Sequence, residues 1–192
     1  MTILPGSRDS ELARHLPVLQ EASAKIQAET PVQFVVAAAP GRAESLKQGW
    51  SKNVKVRVVE GQTYDALAHA DASIVSSGTA TVEAALLDAP MVVVYRVSPL
   101  TAILAMPLVR TTHFIMVNLI AGREVVPELI QGDFTPTRVA THILHLLRDP
   151  AASAGMRAQL AQVRRRLGPP GAVERAAEAI NALLVMSSGN AS

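Results

Sequence analysis

The stretch Ser76-Ser77-Gly78-Thr79-Ala80-Thr81-Val82-Glu83 sets hydroxyls and a glycine directly ahead of an apolar, helix-forming run. The preceding Ile74-Val75 pair is β-branched and reads as a short buried strand. Gly78 lets the backbone turn sharply and come close to a ligand. Ser76, Ser77 and Thr79 are candidate caps for a helix running through Leu87. A helix start presents unpaired amide hydrogens and partial positive charge, which suits a phosphate. Glu83 follows Thr79 by four residues, on the same helix face, where a carboxylate can accept hydrogen bonds from sugar hydroxyls. An ordinary capped helix with a solvated glutamate fits the same local pattern, and a glycine turn before a helix is weak evidence alone. Both readings stand on these residues.

The elements that must position this stretch alternate along the chain. Thr2-Ile3-Leu4 reads as a strand ending at Pro5-Gly6-Ser7-Arg8. A buried first strand usually has more residues before it, so the start reads as a cut edge, with a partner domain expected upstream. Asp9 and Ser10 open a helix of roughly two to five turns, with Leu12, Leu16, Leu19 and Ala22 as its apolar stripe and Pro17 as a kink. Strands are expected over Val32 to Ala39, Val54 to Val59, Ala72 onward and Met91 to Tyr95, with a last strand over Phe114 to Val117 closed by Asn118. Short helices are expected over Ala43 to Trp50 and Tyr64 to Ala70. Beyond Pro127 the pattern is helical: Pro136 to Leu147, Ala151 to Leu167 and, after the hinge Gly168-Pro169-Pro170-Gly171, Ala172 to Val185. The expected fold is therefore α/β, a Rossmann-like doubly wound parallel sheet with extra C-terminal helices. Residues 1–150 form the sheet domain, 151–186 helices that pack on it or on the upstream domain, and 187–192 a disordered tail. Ligands of such sheets bind beyond the carboxyl ends of the strands, where Gly6-Ser7-Arg8, Ser77-Gly78-Thr79, Tyr95-Arg96 and Asn118 fall.

Composition narrows the chemistry. Hydrophobic residues make up 49% of the chain and charged residues 18%, enough for a substantial core. Aromatics at 3% argue against binding single-stranded nucleic acid by stacking. The net charge of +2 demands no polyanionic partner. The absence of cysteine excludes disulfides, thiol nucleophiles and thiolate metal sites, and fits the cytoplasm. The histidines form no metal cluster: His142 and His145 share a helix face without a third ligand nearby. The apolar window from Pro99 to Val109 is too short to span a bilayer and reads as core or interdomain surface. No G-x-G-x-x-G fingerprint follows the first strand, and no G-x-x-x-x-G-K-[ST] loop occurs, which weakens the dehydrogenase and nucleotide-hydrolase readings.

Three segments taken together resemble one family: Leu4-Pro5-Gly6-Ser7-Arg8, Ser76 to Ala84, and Asn118 to Gln131 with its Pro127-Glu128-Leu129-Ile130-Gln131 ending. Their order and spacing look like the C-terminal half of lipid-A-disaccharide synthase, and Pro90 to Arg96 also fits. The resemblance implies the donor-binding half of an inverting GT-B glycosyltransferase. Such an enzyme passes 2,3-diacylglucosamine from its UDP carrier to 2,3-diacylglucosamine 1-phosphate, giving the β-1,6-linked disaccharide phosphate and UDP. It implies no metal and no other cofactor. Its partners would be the UDP-2,3-diacylglucosamine donor, the lipid acceptor and the missing N-terminal domain, with peripheral contact at the cytoplasmic face of the inner membrane and a homodimer as further options. Two other readings stay open: a different GT-B donor half (a cell-wall N-acetylglucosaminyltransferase or a UDP-N-acetylglucosamine 2-epimerase) and a non-catalytic nucleotide-binding scaffold.

The resemblance assigns roles to particular residues. Arg8 would grip the diphosphate, since arginine is always charged and can offer two parallel hydrogen bonds. Gly6 and Ser7 would let the backbone approach the donor, Ser77, Gly78 and Thr79 would supply hydrogen-bond donors to phosphate oxygens, and Thr81 would belong to the same UDP site. Glu83 looks like the carboxylate that binds the ribose hydroxyls. Asn118 would hold the uracil edge or the donor sugar, or else serve only as a turn-forming residue. Glu128 and Gln131, three apart, would share a helix face toward the donor, or lie on the surface. The general base is expected in the N-terminal half, so no catalytic residue is assigned here. Arg164-Arg165-Arg166 reads as a solvated face or as a seat on anionic lipid.

Overall fold

The computed structural model describes residues 1–98, 113–169 and 171–189. Aliphatic runs form the strands β1 (Thr2–Leu4), β2 (Phe34–Ala38), β3 (Val56–Glu60), β4 (Ser73–Ser76), β5 (Met91–Tyr95) and β6 (Glu128–Ile130). Helices are α1 (Asp9–Glu29), α2 (Thr63–Ala68), α3 (Thr79–Leu86), α4 (Met116–Ala121), α5 (Pro136–Arg148), α6 (Pro150–Leu167) and α7 (Ala172–Gly189). The strands form one sheet in the order β3-β2-β1-β4-β5-β6. Every pairing is parallel, with Ile3 opposite both Val36 and Ile74. This is the doubly wound order expected of a Rossmann-like sheet.

The connections explain the layers. The chain leaves β1 through α1 toward β2, and leaves β4 through α3 toward β5. Right-handed crossovers running in opposite directions put their helices on opposite faces. Accordingly α1 packs on α5, whereas α3 packs on α4 and α6. The buried stripe of α1 comprises Leu12, His15, Val18, Leu19, Ala22 and Ile26 at helical spacing. Pro17 sits inside this 21-residue helix on its exposed side, where its missing amide costs no buried hydrogen bond. Thr135 caps α5 through the Arg138 amide, and Asp149 caps α6 through the amides of Ala151 and Ala152.

Several sequence expectations need correction. Ala43 to Trp50 is a series of turns, not a helix. Its bonds, Leu46 N to Ala43 O and Lys47 N to Glu44 O, close three residues back, and Gly49 follows at φ +82°. Phe114 to Val117 is not a strand: Met116–Ala121 is helical and ends at Gly122, which has left-handed φ +67°. The last strand is instead Glu128–Ile130, whose Glu128 pairs in register with Val93. A short apolar run fits either strand or helix, and here tertiary pairing decides. Residues 187–189 continue α7 and are not a frayed tail. The described side chains of α7, those of residues 172–182, are exposed, Val173 at 79%, so that part of it buries no face on this domain as α6 does. The Pro99 to Val109 segment lies outside the described residues.

Leu19 has no exposed surface in the core between α1 and the rest of the domain. Leu19→Ala is expected to lower unfolding stability by about 2–5 kcal/mol in urea titrations. A loss under about 0.5 kcal/mol would mean that α1 does not seat as described.

Candidate functional site

A crevice of about 540 Å³ opens at the carboxyl ends of β1, β2 and β4. Gly6, Ser7 and Arg8 line it from the turn after β1, and Ser76 to Ala80 from the turn after β4. Glu83 reaches it from α3, and Met116 from the start of α4. Of the residues that the sequence marks, Gly6, Ser7, Arg8, Ser77, Gly78, Thr79 and Glu83 thus share one cleft. A larger hollow of about 690 Å³ lies at the opposite, amino end of the strands, around Met1, Gln33, Asp71 and Arg157. Sheets of this type carry their ligands at the carboxyl ends, which favours the smaller crevice.

The turn after β1 is organised around Glu11. The residue is only 7% exposed. It accepts hydrogen bonds from the amides of Ser7 (3.2 Å) and Arg8 (3.4 Å) and from Arg8 Nη1 (2.8 Å). Burial alone would raise this carboxyl's pKa. The bonds from the Arg8 guanidinium and the two amides outweigh burial and hold it below the ordinary value. Gly6 is needed where it stands: its φ is +114°, and a Cβ there would meet Glu11 Oε2 at 2.8 Å. Glu11 therefore occupies the amides of this turn, while Arg8, whose side chain is 75% exposed, lines the cleft.

In the turn after β4 the Ser77 amide is committed to the Val94 carbonyl at 2.9 Å, but the helix start beyond it is not capped by a described side chain. Gly78 precedes α3 at φ +152°, ψ −164°, a region open essentially to glycine, and no heavy atom lies within 4 Å of where its Cβ would be. Among the described residues no side chain caps α3, so the expected capping by Ser76, Ser77 or Thr79 does not occur. Of the first amides, that of Thr81 donates to the Gly78 carbonyl at 3.2 Å, while those of Thr79 and Ala80, both residues that line the crevice, meet no acceptor among the described residues. Thr81 is buried, and its hydroxyl donates to the Gly78 carbonyl at 2.8 Å; it braces the turn and does not line the cleft. Glu83 is half-buried, and among the described residues no hydrogen bond or ion pair engages its carboxylate.

The third segment has a different job. Asn118 has no exposed surface. Its Oδ1 accepts from the amides of Val125 (2.7 Å) and Val126 (3.1 Å), and its Nδ2 donates to Val126 O (2.8 Å) and Glu128 Oε1 (2.7 Å). Its hydrogen-bonding capacity is spent on the chain that leads into β6, so it does not face the crevice. Glu128 lies on β6, not on a helix, and also accepts from the Phe114 amide at 2.9 Å. Gln131 sits in the 3₁₀ turn Gln131–Asp133 at φ +53°, and its Oε1 accepts from the Val97 amide at 3.1 Å. Neither lines the crevice. Arg164 and Arg166 likewise bind carbonyls of the domain, at Leu86 and at Ile120 and Ala121, so this basic triplet is partly structural.

Two further residues shape the site without belonging to the motifs that mark it in the sequence. Glu11, three residues beyond Arg8, has a local signal, since an acidic residue at that spacing closes a helix start. His15 has none, because its partners Pro5 and Arg96 lie 10 and 81 residues away.

Gly6→Ala is expected to destabilise the protein by roughly 1–3 kcal/mol through backbone strain and the clash with Glu11. An unchanged melting temperature would contradict that geometry. Asn118→Ala leaves buried polar groups at residues 125 and 126 unpaired and should cost roughly 2–4 kcal/mol in chemical unfolding. A loss near zero would return Asn118 to the role of a surface turn residue.

The family model described as lipid-A-disaccharide synthetase matches residues 1–182. The lipid-A-disaccharide synthase of Anaeromyxobacter sp. (strain K) is 43% identical over 184 residues, covering 94% of this chain and 48% of that protein. That of Syntrophus aciditrophicus (strain SB) is 43% identical over 186 residues, covering 92% and 47%. The chain thus spans about half the length of these curated relatives. Among solved structures, the spinosyn forosaminyltransferase SpnP aligns with a TM-score of 0.59 at 17% identity, over 94% of this chain and 43% of its own. The calicheamicin glycosyltransferase CalG4 aligns at 0.55 and 22%, over 95% and 41%. The rhamnosyltransferase SpnG in complex with thymidine diphosphate aligns at 0.51 and 17%, over 86% and 40%. These structures share the Rossmann-like α/β fold. The sequence matches are far closer and run through both turns that build the crevice, and on them the chain belongs to the lipid-A-disaccharide synthase family.

Proposed function

We propose that the crevice binds the uridine diphosphate of UDP-2,3-diacylglucosamine, making this chain the donor-binding half of an inverting glycosyltransferase that forms the lipid A disaccharide. One observation carries the reading: Arg8, the start of α3 behind Gly78, and the uncommitted carboxylate of Glu83 line a single cleft. The chemistry matches in parts. Arg8 and the α3 amides offer positive charge for a diphosphate, and Glu83 offers an acceptor for the two ribose hydroxyls. Placement at the divergence of β1 and β4 supports the same reading. The fold neighbour SpnG was solved with thymidine diphosphate, a ligand of the same chemical class.

In the proposed reaction an acceptor hydroxyl attacks the anomeric carbon opposite the diphosphate, the C–O bond to UDP breaks, and the configuration inverts. Negative charge grows on the departing diphosphate. Arg8 and the amides at α3 are fixed where that charge develops, so they stabilise the transition state more than the bound donor. The base that takes the hydroxyl proton is assigned to the other half of the enzyme. The acyl chains of donor and acceptor would bring the enzyme to the cytoplasmic face of the inner membrane. Among the described residues, no helix is long and apolar enough to cross it.

Calorimetric titration with UDP tests the reading. The purified chain should bind. Arg8→Ala should lose roughly 10- to 150-fold in affinity, the range for a hydrogen bond to a charged group. Glu83→Gln should lose about tenfold. No heat with UDP, or two unaffected variants, would overturn the donor-site reading. Displacement of UDP by its acylated glucosamine conjugate in preference to the N-acetylated one would separate this enzyme from the other GT-B donor halves.

A further inference from the structure

We propose that His15 is a positioning residue of the donor site: its neutral imidazole, carrying hydrogen on Nδ1, ties the turn after β1 to the end of β5 and thereby holds Gly6-Ser7-Arg8 against the turn after β4. The inference rests on the donor-site reading above and names a residue outside the crevice lining that the site depends on.

His15 has no exposed surface. Its Nδ1 lies 2.8 Å from the Pro5 carbonyl, and its Nε2 lies 3.1 Å from the Arg96 amide nitrogen. A carbonyl can only accept and an amide N–H can only donate, so the two bonds together require the neutral ring with hydrogen on Nδ1. Ser76 Oγ, at the end of β4, stands 3.5 Å from the same Nδ1. One ring thus meets the ends of three neighbouring strands, β1, β4 and β5. The Pro5 carbonyl belongs to the peptide plane that leads into Gly6, so its direction sets the path of the turn carrying Arg8.

The tie extends along the sheet edge. Arg96 donates through Nη2 to the carbonyls of Gln131 (3.2 Å) and Phe134, and the Val97 amide donates to Gln131 Oε1. Tyr95 and Phe134 stand edge-on to the imidazole, with ring centres 5.9 and 5.4 Å away, and fix its plane. The charged and titratable groups around it are Glu11 on its own helix, and Arg96 and Tyr95 from the end of β5. Burial, above all, pushes the His15 pKa below its ordinary 6.5, against the Pro5 bond and the Glu11 carboxylate, which raise it. The neutral form that the geometry requires is therefore favoured at pH 7. The unfolded chain takes up the proton first as pH falls below 6.5, so the contribution of this ring is complete above 6.5 and is lost as pH falls toward and through the lowered folded value. An imidazolium would set its new N–H against the N–H of Arg96.

The test is UDP titration of the chain and its His15→Phe and His15→Asn variants, each across about pH 5 to 8, beside their thermal melts. His15→Phe keeps an aromatic ring but loses both bonds; its affinity near neutral pH should fall about tenfold or more. His15→Asn can still donate to Pro5 and should recover part of that loss. The affinities of wild type and His15→Phe should still differ at pH 6.5 and converge only as pH falls through the lowered folded value, since protonation of the native ring then removes what the variant lacks. Unchanged UDP affinity and pH profile in His15→Phe, whatever its melting temperature, would reduce His15 to a packing residue and overturn the inference. If His15→Phe does not fold, equal affinity of His15→Asn and wild type at every pH overturns it equally. Absence of UDP binding by the wild type would overturn the donor-site reading itself, a separate outcome.

Discussion

Parallel strands cannot be joined by tight hairpins, so every connection in this sheet must cross over one of its faces. That constraint organises the molecule. Between β1 and β4 the crossovers diverge, α1 going to one face and α3 to the other. Among the described residues no helix closes over the gap that the divergence leaves at the carboxyl edge, and the crevice forms there. Arg8 and Glu83 belong to opposite layers, the first at the start of α1 and the second one turn into α3. They share a cleft only because both helices start at this point.

Charge is divided unequally between the two turns. The buried Glu11 carboxylate must be matched by donors, and it takes the two amides of the β1 turn together with one nitrogen of Arg8. Those amides are already committed, so the β1 turn contributes mainly a held cation. The β4 turn has the complementary character: no described side chain caps α3, the amides of Thr79 and Ala80 meet no acceptor among the described residues, and the space where a Cβ of Gly78 would stand is open. An anion entering the crevice finds a pre-oriented guanidinium on one wall and uncapped amides on the other. Glu11 costs some of the positive potential but fixes the rotamer of Arg8, and a fixed donor loses less entropy on binding than a free one.

Much of this is legible in the sequence, and the failures share a cause. The alternation of strand and helix, the sheet's doubly wound character and the convergence of Arg8, Gly78 and Glu83 follow from local patterns that the fold respects. The helix starts at Pro136 and Pro150 are marked by local cap and proline signals that need no tertiary knowledge. Phe114 to Val117 misleads because a short apolar run carries no period of its own. Glu128 to Gln131 misleads because pairing with the distant Val93 on β5 overrides the local pattern. Thr81 and Asn118 are polar residues beside crevice-forming motifs, and from sequence alone a buried brace looks the same as a ligand contact. His15 reads as one scattered histidine because its partners come from three strands.

The misleading residues also show what holds the crevice in shape. Asn118 pins the chain at residues 125 and 126, which lets β6 begin at Glu128 beside β5. Gln131 and Arg96 then join the ends of β6 and β5, and His15 carries the link to Pro5 at the end of β1. These contacts are polar and largely shielded from water, where an unpaired donor or acceptor is costly and each bond strengthens its neighbours. The edge therefore behaves as a connected unit and not as a set of independent loops. On the donor-site proposal, residues of the family-like segments that never touch the cleft act on it by fixing the distance between the strand ends that carry Arg8 and the start of α3.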